Sequence, residues 1–357
     1  MKLFIYRVCK SLLNFENTHC LGCNHVVGFL PEIGELASFN EAGDDLLQAN
    51  LPEWEAHRYR KCLRYSQDGI CNWMVHVDDG QELCRSCRMT SVIPDLAVLS
   101  HWEAWHKMEL AKRRWWYGLH YLGLPIDDRH GDPEVGMTFA FMADTSEIAV
   151  TTGHNDGVIT VNLSEADPVE RERARSNLSE PYRTLLGHMR HESGHYYWDR
   201  LVKKSEWLNK VRAMFGDERL DYKTALTDYY AKSPNSEWTG NYVSDYATMH
   251  PWEDWAETWA HYLHVVDSVE MASYLGLSLN VFPSGSTQAS ISVIITRQKP
   301  IDFEKLLAAW FPLSYANNCL NRSIGHNDWY PFTLGPGAIE KLRLVHTIVH
   351  EASRQVG

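Results

Sequence analysis

His191-Glu192-Ser193-Gly194-His195 reads H-E-x-x-H, and its surroundings place it on a helix. Leu185, Leu186, Met189 and Tyr196 form an apolar stripe, and Leu201 and Val202 follow. Residues four apart on a helix share a face, so both imidazoles reach one ion. Glu192 lies beside them, where it can take a proton from water and carry it to a leaving amine. Gly194 costs about 1 kcal/mol of helix propensity relative to Ala. Its bare backbone lets a neighbouring element come close. The helix is expected to open at 179–181 and to run to about Lys203.

A third ligand has to come from elsewhere. Trp198 and Leu201 stand where a metzincin needs glycine and histidine, so that class is excluded. A gluzincin takes a glutamate from a later helix, and His250-Pro251-Trp252-Glu253-Asp254-Trp255-Ala256-Glu257 opens one. Trp252, Trp255, Trp259 and Val266 form its apolar stripe. Glu253, Glu257, His261 and His264 lie along another face. Glu257, one turn inside the helix and followed by small Ala260, is the expected ligand; Glu253 and Glu218 are the alternatives. Asp254, Glu253 and His250 are read as groups that orient the ligating imidazoles or the substrate. Tyr242 or Tyr246 is expected to stabilise an oxyanion. His188 is read as a neighbour of the site, and His154 as an exposed turn residue.

Residues 135–163 read as β-structure. Strands are expected at Met137–Met142, Ile148–Thr152 and Val158–Leu163, the last two joined by a turn over Gly153–Gly157. Val158–Asn162 stands where an edge strand holding an extended substrate belongs. Asp167-Pro168 signals a helix start. Further helices are expected near 95–122, 205–215, 221–231, 251–266, 302–311 and 336–352. Lys112-Arg113-Arg114 reads as a solvated helix face. Together these give an α+β fold: a mostly helical domain with a small antiparallel sheet over 93–357, with a helical C-terminal part from about 268.

Seven of the eight cysteines precede residue 90. Cys20-Leu21-Gly22-Cys23 and Cys84-Arg85-Ser86-Cys87 are C-x2-C knuckles, whose thiolates meet one tetrahedral zinc. Cys62 and Cys71 complete a four-thiolate site with Cys84 and Cys87. Cys9 joins Cys20 and Cys23, but Tyr6 stands where the fourth thiolate belongs, leaving His19 or His25 to be borrowed. Residues 1–92 are therefore expected to form a zinc-ribbon module with one or two structural zinc ions, beside one catalytic zinc in the second domain.

The net charge of −12 argues against broad nucleic-acid binding. No apolar run is long enough to span a membrane. Thiol-rich knuckles without an export signal suggest a cytoplasmic chain.

Phe15-Glu16-Asn17-Thr18-His19-Cys20-Leu21-Gly22-Cys23, Gly69-Ile70-Cys71-Asn72-Trp73 and Leu83-Cys84-Arg85-Ser86-Cys87 resemble a bacterial family of zinc-binding metallopeptidases with an N-terminal zinc ribbon. The motif helix, the segment His250–Tyr262, Leu320-Asn321-Arg322-Ser323 and Asp328-Trp329-Tyr330-Pro331-Phe332 resemble its later signatures. Tyr6 departs from the family's paired cysteines. The resemblance implies a zincin-like peptidase fused to a ribbon, acting on a protein or peptide, with the ribbon recruiting substrate or a protein partner. The alternative is a non-catalytic scaffold that binds a protein or nucleic acid.

Overall fold

The computed structural model describes residues 2–177, 180–231, 236–279 and 301–356. It divides into two compact units: Met1–Tyr117 with Ile126–Thr152 and Thr160–Asp167, and Gly118–Pro125 with Gly153–Ile159 and Pro168–Gly357.

In the first unit, β1 (Phe4–Ile5) and β2 (Leu12–Leu13) pair as a small ribbon. Next comes an antiparallel meander of β3 (Val27–Leu30), β4 (Glu35–Glu41), β5 (Leu47–Ala49), β6 (Arg58–Lys61) and β7 (Met74–His76). The meander curls until Phe29 bridges Trp73. Phe15, Phe29 and Trp73 form an aromatic core, with the Phe29 and Trp73 rings 4.8 Å apart. Two short helices, α1 (Leu63–Ser66) and α2 (Arg85–Arg88), begin directly after Cys62 and Cys84.

The expected all-antiparallel sheet is corrected. β8 (Thr90–Val92) pairs in parallel with β9 (Thr138–Met142). A parallel pair needs a long crossover, and the helix α3 (Leu99–Tyr121) supplies it. The basic run on α3 is not a solvated face either. Lys112 is fully buried against Glu109 at 2.9 Å, Arg113 is buried, and Arg114 pairs with Glu16 at 2.6 Å. Each cation has an anionic neighbour inside the unit that the local sequence does not reveal.

The hairpin of β10 (Gly153–Asn155) and β11 (Val158–Asn162) turns on Asp156 and Gly157, both left-handed with φ of 46° and 75°. A two-residue turn of this kind matches strand twist. It moves the first strand to Gly153–Asn155, so Ile148–Thr152 is not a strand as expected. β11 has β10 on one side and β9 on the other, so it is an inner strand, and β10 and β8 are the two edge strands.

The second unit is helical: α4 (Pro168–Asn177), α5 (Leu185–Tyr197), α6 (Leu208–Phe215), α7 (Tyr222–Ala231), α8 (Pro251–Tyr274), α9 (Phe303–Ser323) and α10 (Pro336–Val356). The expected opening of the motif helix at 179 falls outside the described residues. α5 itself starts later, where Thr184 caps it by accepting from Gly187 N at 3.0 Å, and it ends in a π-helical turn over Trp198–Val202. α9 runs on through Pro312, past its expected end, because Leu306, Leu307, Trp310 and Leu313 continue one buried face.

α5 and α8 pack closely. A Cβ on Gly194 would stand 2.8 Å from Ala256 Cα. The Trp255 indole donates to Gly194 O at 2.8 Å, and Tyr197 stacks on Trp259 at 4.6 Å. Gly194→Val is therefore expected to destabilise the second unit by at least the ~1–3 kcal/mol typical of overpacking. A denaturant midpoint equal to wild type would show that the close approach is not needed.

Candidate metal centre

The α5–α8 contact sets the phase of both helices. His191 and His195 face Glu253 and Glu257. Glu253 Oε2 lies 2.9 Å from His191 Nε2, and its Oε1 lies 3.5 Å from His195 Nε2. Donor atoms of His191, His195 and Glu253 all lie within 4.8 Å of one another. Glu257 is on the other side of the His191 ring, where its Oε1 meets Nδ1 at 2.7 Å, and it accepts from Ser244 Oγ at 2.6 Å. Glu253, and not the expected Glu257, is therefore the carboxylate grouped with both imidazoles. Glu253 joins the two Nε2 atoms, and Glu257 holds the far nitrogen of one ring. The reason is geometric: the two residues are one turn apart on one helix face, and only the contact at Gly194 decides which turn lies opposite both imidazoles. Glu218, the other alternative, is taken up by Arg212 at 2.8 Å.

The electrostatics call for a positive charge here. Burial opposes charge on His191, yet Glu253 and Glu257 raise its pKa well above the usual value. Burial likewise works to raise both carboxyls, but His195 and His191 bring Glu253 well below the usual range, and His191 brings Glu257 to about 2. A divalent cation answers the same demand. Two imidazoles and one carboxylate also match a catalytic zinc site, which keeps a position open. Burial raises the Glu192 carboxyl, against the pull of the two imidazoles.

Other expected residues are placed differently. His250 caps α8 by accepting from Trp252 N at 3.1 Å, and its Nε2 meets Leu220 O at 3.1 Å, so it serves the backbone and not the imidazoles. Asp254 points towards α10, where Lys341 donates to it at 2.6 Å. The Lys341 ammonium also stands 4.0 Å over the Tyr242 ring, which packs beside Val243 and Ala338. Tyr242 and Asp254 therefore tie α8 to its supports. Tyr246 does reach the site, with its ring 6.1 Å from that of His191.

Three participants were missed. Tyr222, at the start of α7, donates to Glu253 Oε1 at 3.0 Å. Ser244 holds Glu257. His154, read as exposed, lies nearly parallel to His195 with ring centroids 6.3 Å apart, and burial with His195 lowers its pKa to about 4. Trp252 covers His195 from 4.0 Å. Tyr222, Ser244 and His154 carry no sequence signal, because each comes from a separate part of the chain. His188 is half-buried, and desolvation followed by Arg183 lowers its pKa to about 3.

The first unit holds two thiol clusters. The sulfurs of Cys62, Cys71, Cys84 and Cys87 are buried and lie within 4.8 Å of one another. Cys84 N donates to Cys62 Sγ at 3.3 Å, and Trp73 N to Cys71 Sγ at 3.4 Å. Four sulfurs this close cannot all ionise unaided: hydrogen bonds from Cys71 and Cys84 lower the Cys62 thiol, whereas burial and Cys62 push Cys84 up. A tetrahedral zinc would relieve the conflict. Burial works against the charge of Arg113, but Cys71, Cys87 and Glu109 outweigh it. Cys9, Cys20 and Cys23 make the second cluster. All eight cysteines are free of disulfides.

The thiol clusters in one unit and the imidazole–carboxylate cluster in the other are groups that could each hold a metal ion. Residues 101–348 match the family described as "Putative zinc-binding metallo-peptidase", and residues 3–98 match a zinc-ribbon domain. The chain belongs to this zinc-binding metallopeptidase family. An uncharacterised protein of Mycobacterium bovis is 40% identical over 348 residues, covering 97% of this chain and 94% of its own length. Uncharacterised proteins from two strains of Mycobacterium tuberculosis match to the same extent. No solved structure matches. Among the described residues, no helix is long and apolar enough to cross a membrane.

Proposed function

We propose that the chain is a zinc-dependent peptidase of the zincin-like, gluzincin type. The observation that carries this reading is the Glu253 carboxylate facing Nε2 of both His191 and His195, with Glu192 in the same turn of α5. His191, His195 and Glu253 hold the metal. Zinc bound there supplies a Lewis acid that polarises a carbonyl and acidifies water. Glu192 takes the proton from the attacking water and delivers it to the leaving amine. Burial raises the Glu192 carboxyl, the direction that favours taking up a proton. Glu257, steadied by Ser244, accepts from His191 Nδ1 and fixes the ring for coordination through Nε2. Tyr222 steadies Glu253, and the hydroxyl of Tyr246 is offered to the oxyanion. β10, the edge strand beside α5, offers backbone pairing to an extended peptide. Substrate is thus a protein or peptide, with the ribbon as a docking module and the cytoplasm as its compartment.

The test uses a fluorogenic peptide library with the full chain. A chelator should abolish cleavage, and added Zn²⁺ should restore it. The pair His191→Ala and His195→Ala should carry one zinc fewer and stay inactive when zinc is added. No cleavage by zinc-replete wild type, or full recovery in the double variant, overturns the reading; the first result favours a scaffold.

A further inference from the structure

Arg113 on α3 is 2% exposed, and its Nε and Nη1 are buried without a hydrogen-bond partner among the described residues. A guanidinium keeps its charge in a protein, and a buried charge is costly unless an anion answers it. The carboxylates beside it in the unit are already engaged. Glu109 is held by Lys112 at 2.9 Å and by Thr90 at 2.6 Å, and Glu16 is held by Arg114 at 2.6 Å.

The packing of α3 shows where the answering anion lies. Glu109, Arg113 and Trp116 follow one another at spacings of four and three, so they share one helix face. At one end of that face Glu109 accepts from Thr90, which stands three residues after Cys87. At the other end the Trp116 ring meets Trp73 edge-on, with centroids 4.9 Å apart. Trp73 N in turn donates to Cys71 Sγ at 3.4 Å. Arg113 therefore lies between the Cys87 and Cys71 sides of the buried four-thiol cluster. Burial works against its charge, whereas Cys71, Cys87, Glu109 and Cys84 favour it. Free thiols are neutral, but four thiolates around Zn²⁺ leave two negative charges in excess. Lys112 and Glu109 cancel each other, and Arg113 remains to offset that excess.

We propose that Arg113 is the counter-charge of a zinc ion held by Cys62, Cys71, Cys84 and Cys87, a supporting residue that quiets the thiolates and slows loss of the ion. Arg113 lies within the metallopeptidase match and the cysteines within the ribbon match, yet all five fall in the first compact unit. The ribbon's ion is thus balanced from outside the ribbon sequence. The proposal is independent of the peptidase reading, because neither readout involves cleavage. The zinc-loaded full chain is treated with iodoacetamide, alkylation is mapped to each cysteine by mass spectrometry, and zinc release is followed with a chromogenic chelator. Thiolate nucleophilicity rises with thiol pKa, so removing the cation should make these sulfurs more reactive. Arg113→Met keeps the length and loses the charge. It should speed zinc release at least about tenfold, the lower end of what outer partners are worth. Alkylation of Cys62, Cys71, Cys84 and Cys87 should speed in step, while that of exposed Cys319 stays unchanged. Arg113→Lys keeps the charge and should stay close to wild type. Glu109→Gln removes an anion from the same cluster and should act in the opposite sense, slowing both rates. That reversal separates charge from packing, and Glu109→Gln decides alone should Arg113→Met fail to fold. Rates unchanged in Arg113→Met, Arg113→Lys as fast as Arg113→Met, or Glu109→Gln speeding both rates each overturn the proposal.

Discussion

Glu192→Gln is expected to keep its full complement of zinc and to lose peptide hydrolysis by about 10²–10⁴-fold, the usual worth of a positioned general base. Gln has nearly the shape of Glu, so α5 and its contacts with α8 should persist. What disappears is the ability to accept a proton. Burial already pushes the Glu192 carboxyl upward, so a neutral amide at this position is tolerated and unfolding midpoints should stay near wild type. The loss should fall on kcat, because in the proposed role Glu192 acts on the proton and does not hold substrate. Unchanged turnover in a variant that still carries its zinc would remove Glu192 from the mechanism.

Glu253→Ala and Glu257→Ala should separate two roles that look alike in sequence. Without Glu253, the Nε2 atoms of His191 and His195 lose their facing carboxylate, and one zinc per chain should be lost under ordinary dialysis. Without Glu257, the ion keeps three donors, and only the Nδ1 side of His191 loses its partner. Supporting groups of that kind are worth about 10–100-fold in metal affinity, so this variant should bind zinc more weakly yet recover activity at high Zn²⁺. Equilibrium dialysis with metal analysis reads both. The reverse order, with Glu257→Ala losing zinc outright and Glu253→Ala recovering, would return the ligand role to Glu257.

The legible parts of the site were those carried by short spacing. The i, i+4 pair His191 and His195, with Glu192 between them, is a property of one helix turn. The knuckles Cys20–Cys23 and Cys84–Cys87 are likewise set by two-residue gaps. Helix starts with strong chemistry were legible too, such as Pro168 in α4 and Pro251 in α8. Reading became unreliable where a residue's partner lies far away in the chain. Lys112 and Arg113 look like a solvated basic run, and their burial follows from Glu109 and the thiol cluster. His154 looks like a turn residue, and it lies near His195 because β10 packs beside α5. His250 and Asp254 look like site residues, but they cap α8 and tie it to Lys341.

The sequence by itself determined the chemistry available: two imidazoles and a glutamate on one helical turn, a glutamate-bearing helix downstream, and enough thiols for a ribbon. Those follow from covalent spacing and helical period, which are local. Only the tertiary structure decided which glutamate faces the Nε2 atoms, because Glu253 and Glu257 satisfy the same helical period. Their difference is set by Gly194 lying against Ala256, a contact between residues 62 positions apart. The same holds in the ribbon, where Tyr6 announced a missing ligand. Only the tertiary structure places the His25 imidazole 3.1 Å from Cys23.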